Sequence, residues 1–327
     1  MSVPQKHHYV PQFLLRRFAD NNKKLLVYRT DSEETPRWAP VRKLGQTIEG
    51  HTLHWPGREP DHTSMEAGMG SIESAMGKVI ASLASNKGRT LSEEAREVFG
   101  FFIALQWYRS RFLLELLHRS VLDPDAQVDE LARSIGIRQI QWHVLEPWFA
   151  RNDDECDPKE RYCFIANYLQ HGPWSWHLYR PTGSNLVVGD NIVCLWGIAT
   201  GETSDLPEIW TRHGAGVGFA TCGRITMPLA PNLGLVIVRN NRPDLRAVDA
   251  AGFNRATVFN SREFVAHHTD GLPNTAVHRS LLDDIRTQRK ILPILSGAAL
   301  SAADKERVSA QRQAPTATPF PKPFDEV

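Results

Sequence analysis

The most constraining feature of this sequence is a change of hydrophobic period near His171. Before it, apolar residues recur at three- and four-residue steps. After it, "WSWHLYRP", "NLVVGDNIVCLW", "GRITMPLAP" and "GLVIVR" are short β-branched or aromatic runs separated by Gly, Pro and Asn. That order predicts an α+β fold, with a helical N-terminal half packed against a smaller, largely antiparallel β-rich C-terminal half.

Ile72, Met76, Val79 and Leu83 form one apolar stripe on a helix beginning near Ser64, which "NKGRT" (86–90) ends. Thr90 and Glu93 make a capping box for a second helix over roughly 91–119. Between Val98 and Tyr108 that helix is apolar on most sides, so it belongs in the interior. Weaker helices fit 124–134 and 137–148, and Asp157, Pro158 and Glu160 open another to about Gln170. "KKLLVYRT" (23–30) reads as a strand, the stretch through Asp61 as irregular, and 254–268 as a closing helix with Asn254 at its N-cap. The parts share one core, so residues 1–296 are expected to form a single domain (helical at 64–170, β-rich at 174–240) followed by a disordered Ala/Ser/Gln/Pro-rich tail at 297–327.

Composition excludes several functional classes. Lys plus Arg (38) nearly balances Asp plus Glu (37), so no global basic field favours long nucleic acids. No apolar run approaches the ~20 residues of a membrane span, and the start lacks a signal-peptide core. Cys156, Cys163, Cys194 and Cys222 make no CxxC pair, which fits neither a zinc site nor a disulfide framework. A cytoplasmic protein without a membrane partner is expected.

Polar residues in apolar settings are the candidates for chemistry. Glu66 and Glu73 lie seven apart along the edge of the first helix's apolar stripe, where each carboxylate needs a cation, a donor or a metal. Gln106 and Arg109 share the buried face of the second helix, and Glu73 with Arg109 is an economical ion pair between the two. Asp190-Asn191 ends a strand-like run, either as plain turn chemistry or as a carboxylate positioned for work. His7 and His8 point to opposite faces if the opening segment is extended, so one of them can enter a shared site as ligand or base. His51-x-x-His54 and "HGAGVGFATCG" (213–223) are weaker: the first lacks a third ligand, and the second reads as a flexible loop. No GxSxG, HExxH or Walker motif occurs.

"KHHYVPQFLLRRFA" resembles the opening signature of an uncharacterised, mostly bacterial family, a domain of unknown function with a His-x-Tyr-Val-Pro-Gln-type motif. The resemblance continues in order through "SMEAGMGSIESAMGKVIASL" with Glu66 and Glu73, "LSEEAREVFGFFIALQWYRSRF" with Gln106 and Arg109, and "LVVGDNIV" with Asp190 and Asn191. "ITMPLAPNLGLVI" and "FNRATVFNSREFVAHH" complete a match over roughly residues 5–268. The chain departs from the pattern at Ile192, where Pro is expected, and around His51, where Tyr is expected. The resemblance implies no reaction, but it groups His7 or His8, Gln12, Glu66, Glu73, Gln106, Arg109, Asp190 and Asn191 as one set.

Two functions fit that set. The first is a hydrolase, of the phosphodiesterase or nuclease kind in bacterial defence or as a toxin. His7, His8, Glu66, Glu73, Arg109 and Asp190 would be catalytic, and Gln12, Gln106 and Asn191 would bind. In it a Mg²⁺ or Mn²⁺ ion would have Glu73, Asp190 and His8 as candidate ligands, or a histidine would act as a metal-free base. The second is a non-catalytic module recognising a nucleotide, a short RNA or a protein, with a phosphate-containing ligand on the same residues.

Overall fold

The computed structural model describes residues 6–48, 50–85, 90–110, 126–182, 184–197, 218–219, 222–267 and 276–295. Its opening segment is anchored. β1 (Lys6–His8) pairs antiparallel with β4 (Gln46–Ile48), His7 opposite Thr47. The Gly45 carbonyl then accepts the N–H groups of Tyr9 and Val10 at 2.9 and 3.2 Å. Pro11, its φ fixed by the ring, caps α1 (Gln12–Arg17). Leu14, Leu15 and Phe18 are buried, and the Phe13 ring lies 5.9 Å from that of Phe102.

Phe102 belongs to the centre of the helical part. α2 (Ser64–Ser85) buries Met65, Met69, Ile72, Met76 and Ile80, one stripe at helical spacing. α3 (Glu93–Tyr108) is buried at every position from Val98 to Gln106. Its cap is Ser92, whose hydroxyl oxygen accepts the Ala95 N–H at 3.1 Å, two residues later than the expected Thr90. Residues 111–119 of the expected helix lie outside the described residues. Then come α4 (Ala126–Ile140), a π-helical turn (Gln141–Leu145) and α5 (Glu146–Ala150), one near-continuous rod where two separate helices were expected. α6 (Phe164–His171) packs on α3 where Gly100 lets the backbones approach; a Cβ there would stand 3.2 Å from the Ala166 Cα.

Two four-stranded antiparallel sheets complete the α+β architecture. The first has the order β3 (Arg37–Pro40), β2 (Lys24–Arg29), β10 (Phe264–His267), β6 (Val188–Gly189). The second runs β5 (Trp174–Tyr179), β9 (Leu233–Arg239), β8 (Cys222–Ala230), β7 (Cys194–Gly197). β8 and β9 are buried throughout, which explains their unbroken apolar character. α7 (Ala250–Asn260) and α8 (Ala276–Leu295) pack together beside them.

Three further sequence expectations are corrected. The helix expected from Asp157 starts at Phe164, because the Asp157 carboxylate accepts the Lys159 N–H at 2.9 Å and closes a turn instead. The closing helix is capped by Asp249, not Asn254, and stops at Asn260; 264–267 is a strand, held by pairing with β2. Asn254 turns inward, accepting the Val187 N–H and donating to the Asn185 carbonyl, both at 3.0 Å. The stretch read as irregular before Asp61 contains β3 and β4. Residues 297–327 and most of 213–223 lie outside the described residues.

Candidate functional site

Arg109 caps the C-terminus of α3, where a cation complements the helix dipole. Its guanidinium is buried. Nη1 meets Glu73 Oε1 at 2.7 Å and lies 3.5 Å from the Met69 sulfur, so α2 supplies both neighbours from one edge of its stripe. Among the described residues, Nε and Nη2 have no hydrogen-bond partner. One turn earlier on α3, buried Gln106 also has an amide nitrogen, Nε2, without a partner among the described residues.

The β1–β4 ribbon brings histidines to the same place. His7 Nδ1 accepts the His51 backbone N–H at 2.9 Å, and the two rings stack with centroids 5.6 Å apart and planes 10° from parallel. His51 Nε2 faces the His8 carbonyl at 3.4 Å. These contacts set the tautomers: His7 carries its hydrogen on Nε2, and His51 carries its own on Nε2 with the Nδ1 lone pair open. Neither His7 Nε2 nor His51 Nδ1 has a hydrogen-bond partner among the described residues. Burial, and next the charge of Arg109, hold His51 far below its ordinary range, at about 3.

His8 points away from His7, as alternation along a strand requires, and is half-buried. The Gln12 amide, which donates to the Val41 carbonyl at 3.1 Å, lies 3.2 Å from His8 Nδ1. Burial lowers the pKa of His8, against raising effects from the Leu44 carbonyl and from the carboxylates of Glu66 and Glu73. Glu66 itself is exposed, although its charge reaches this ring.

Asp190 and Asn191 are buried at the end of β6, and Asp190 has a different task. Its Oδ1 accepts the N–H groups of Arg262 (2.9 Å) and Phe264 (3.3 Å), and its Oδ2 those of Arg262 and Glu263 (both 3.1 Å). Burial nevertheless pushes its carboxyl up to about 6. Asn191 keeps an Oδ1 without a partner among the described residues. A path from this turn back to the histidines runs through Tyr9, whose hydroxyl donates to the Glu263 carboxylate that Arg29 also holds, at 2.8 Å. The structure therefore brings together His7, His8, Gln12, Glu73 and Arg109, with Gln106 three residues before Arg109 on α3, and sets Asp190 in the neighbouring turn. Glu73, Asp190 and His8 do not form a ligand set. Among the described residues no three His, Cys, Asp or Glu side chains are placed to hold a metal ion.

With this geometry the relationship to known proteins has structural content. The sequence profile of the family described as "Protein of unknown function (DUF4238)" matches residues 6–271. The chain belongs to that family. Neither the curated proteins nor the solved structures provide a significant match. Among the described residues of this DUF4238 protein, no helix is long and apolar enough to cross a membrane.

Sequence reasoning missed His51, Met69 and Tyr9 as members of the site. In the sequence His51 reads as half of a loop HxxH and as a departure from the family pattern, and neither places it in the site. Its stacking partner is 44 positions away and is reached through strands of three residues each, too short to show a period.

Proposed function

We propose that this chain is a recognition module that binds the phosphate group of a nucleotide or of the end of a short nucleic acid, through Arg109, Gln106, His7 and His51. The observation that supports this reading is a set of buried N–H donors without partners among the described residues: His7 Nε2, Gln106 Nε2, and Arg109 Nε and Nη2. Each such donor costs about 1–3 kcal/mol, and native proteins keep few of them without a use. Nε and Nη2 of Arg109 form one edge of the guanidinium fork, the edge that holds two oxygens of one oxyanion. His51 argues for recognition over proton transfer: a ring held near 3 retains a proton too poorly to serve as a general base at neutral pH.

The donors are shielded from solvent, so the ligand enters when the β1–β4 ribbon opens. A lone two-stranded ribbon is marginally stable, which suits that motion. The nearly balanced charge favours a small ligand or a strand end over a long polyanion.

A second reading makes the same site a phosphodiester hydrolase, with Glu73 and His8 moving protons beside Arg109. It is favoured by one observation: the field of Glu66 and Glu73 falls on a half-buried imidazole at the edge of the cluster.

Calorimetric titration of the full chain with a nucleoside 5′-monophosphate and with a 5′-phosphorylated oligonucleotide tests both. Recognition predicts saturable binding, weakened about tenfold or more, ~1.4 kcal/mol, in Gln106→Leu and in Arg109→Lys, with no product by mass spectrometry. Product formation that is lost in Glu73→Gln decides for the hydrolase. Failure of every phosphate-bearing ligand to bind refutes the recognition reading.

A further inference from the structure

His51 Nδ1 is an acceptor without a hydrogen-bond partner among the described residues, in a ring that stacks on His7 and lies in the field of Arg109, whose own free N–H groups are donors. We infer that the cluster selects a phosphate group that still carries a proton, as inorganic phosphate or a phosphate monoester in its monoprotonated form, over sulfate and over phosphodiesters. This inference rests on the phosphate-binding reading above.

The argument is one of hydrogen-bond inventory. The His51 backbone N–H occupies His7 Nδ1, so His7 must present N–H at Nε2. His51 Nε2 faces the His8 carbonyl, a pure acceptor, so its hydrogen is on that side and a bare lone pair remains at Nδ1. Protonating Nδ1 to turn it into a donor would place a second cation near Arg109, in a ring that is 1% exposed. Glu73 already occupies Arg109 Nη1 and leaves the Nε/Nη2 edge for the ligand.

A ligand satisfying this set therefore offers several lone pairs and one hydrogen. Sulfate at neutral pH offers lone pairs only, and against His51 Nδ1 it sets lone pair against lone pair. A phosphodiester has no P–O–H. A phosphate monoester loses its second proton near pH ~6, so its monoprotonated form is abundant there. That form gives O–H to His51 Nδ1 while its other oxygens accept from Arg109, Gln106 and His7.

The test is isothermal titration of the full chain at pH ~6 with inorganic phosphate, a nucleoside 5′-monophosphate, sulfate, and a dinucleoside phosphodiester without a terminal phosphate. Phosphate and the monoester are expected to bind about tenfold or more tighter than sulfate and the diester. In His51→Phe, which keeps a stacked ring and removes the lone pair, phosphate is expected to fall to within about threefold of sulfate. If His51→Phe fails to fold by circular dichroism, the four wild-type titrations decide the question alone. Sulfate or the diester binding within about threefold of phosphate overturns the inference and leaves phosphate binding standing. No binding by any of the four overturns both.

Discussion

Arg109 and Glu73 meet at 2.7 Å between α3 and α2, and the two ends of this ion pair differ sharply in exposure: the guanidinium side chain is 1% exposed and the carboxylate 24%. The asymmetry says which partner depends on the other. Glu73→Gln leaves a cation buried beside a thioether, with at most two of its five N–H groups matched. Breaking a buried pair from one side costs about 3–5 kcal/mol, and the partial exposure of Glu73 places this case near the lower figure. Replacing both, as Glu73→Gln with Arg109→Met, removes the stranded charge and is expected to cost less than the single change. Urea unfolding of the three variants checks this. A loss below about 0.5 kcal/mol for Glu73→Gln would show that the pair does not hold α2 to α3.

Asp190 is expected to be structural. Both carboxylate oxygens accept from the backbone of 262–264, so Asp190→Asn turns one acceptor into an N–H group facing other N–H groups. The cost is about 1–3 kcal/mol, and hydrogen exchange should speed up locally across Arg262–His267. An unchanged fold with lost ligand binding would move Asp190 into the site. Its pH signature follows from the sign of its shift. The folded value of about 6 lies above the ordinary 3.8, so its contribution is full below about pH 4 and is lost as pH rises through 6.

His51 has the opposite signature. Its folded value of about 3 lies below the ordinary 6.5, because burial and the charge of Arg109 oppose protonation. The fold therefore holds the full contribution above pH 6.5 and loses it as pH falls towards 3, at about 1.4 kcal/mol per unit once the unfolded chain is protonated. Comparing urea unfolding of the wild type and His51→Phe at pH 7.5, 5.5 and 4.5 isolates this term, since Asp190 is common to both. The gap in stability is expected to shrink, or reverse, towards acid. A gap that stays flat would mean that the fold does not hold His51 neutral.

What could be read in advance follows the range of the interactions. Glu73 and Arg109 were paired from helical periodicity alone, because each helix shows its buried stripe within one or two turns and the stripe fixes which polar residues border it. Val10, Phe13, Leu14 and Phe18 likewise stand out as apolar in the opening segment, and Val10, Leu14 and Phe18 are buried in the fold. Strand pairing carries no such local record. The segment 262–268 looked helical because it continues a real helix; only its partner β2, more than two hundred residues earlier, makes it a strand. The stacking of His7 on His51 depends on β1 meeting β4, and three-residue strands have no period to detect. In the sequence Asp190 reads either as turn chemistry or as a carboxylate positioned for work, yet its task depends on backbone N–H groups, which no side-chain pattern encodes.

Gly45 holds the opening segment in register. Its φ is +59°, in the left-handed region that favours glycine, and its carbonyl accepts the N–H groups of Tyr9 and Val10. A Cβ at this position would stand 2.5 Å from the Val10 Cβ, too close for side-chain adjustment to relieve, since Val10 is itself buried. Gly45→Ala therefore meets both penalties, roughly 1–2 kcal/mol for the backbone and about 1–3 kcal/mol for the overlap. The expected outcome is more local than global: the β1–β4 ribbon opens while α2 and α3 stay packed. Hydrogen exchange should show loss of protection at Tyr9, Val10 and His51, whose N–H groups depend on the ribbon, with little change from Val98 to Gln106. Phosphate affinity should fall in the same variant, because His7 and His51 no longer meet. Unchanged protection at His51 would show that the stacked histidines are held by something other than this turn.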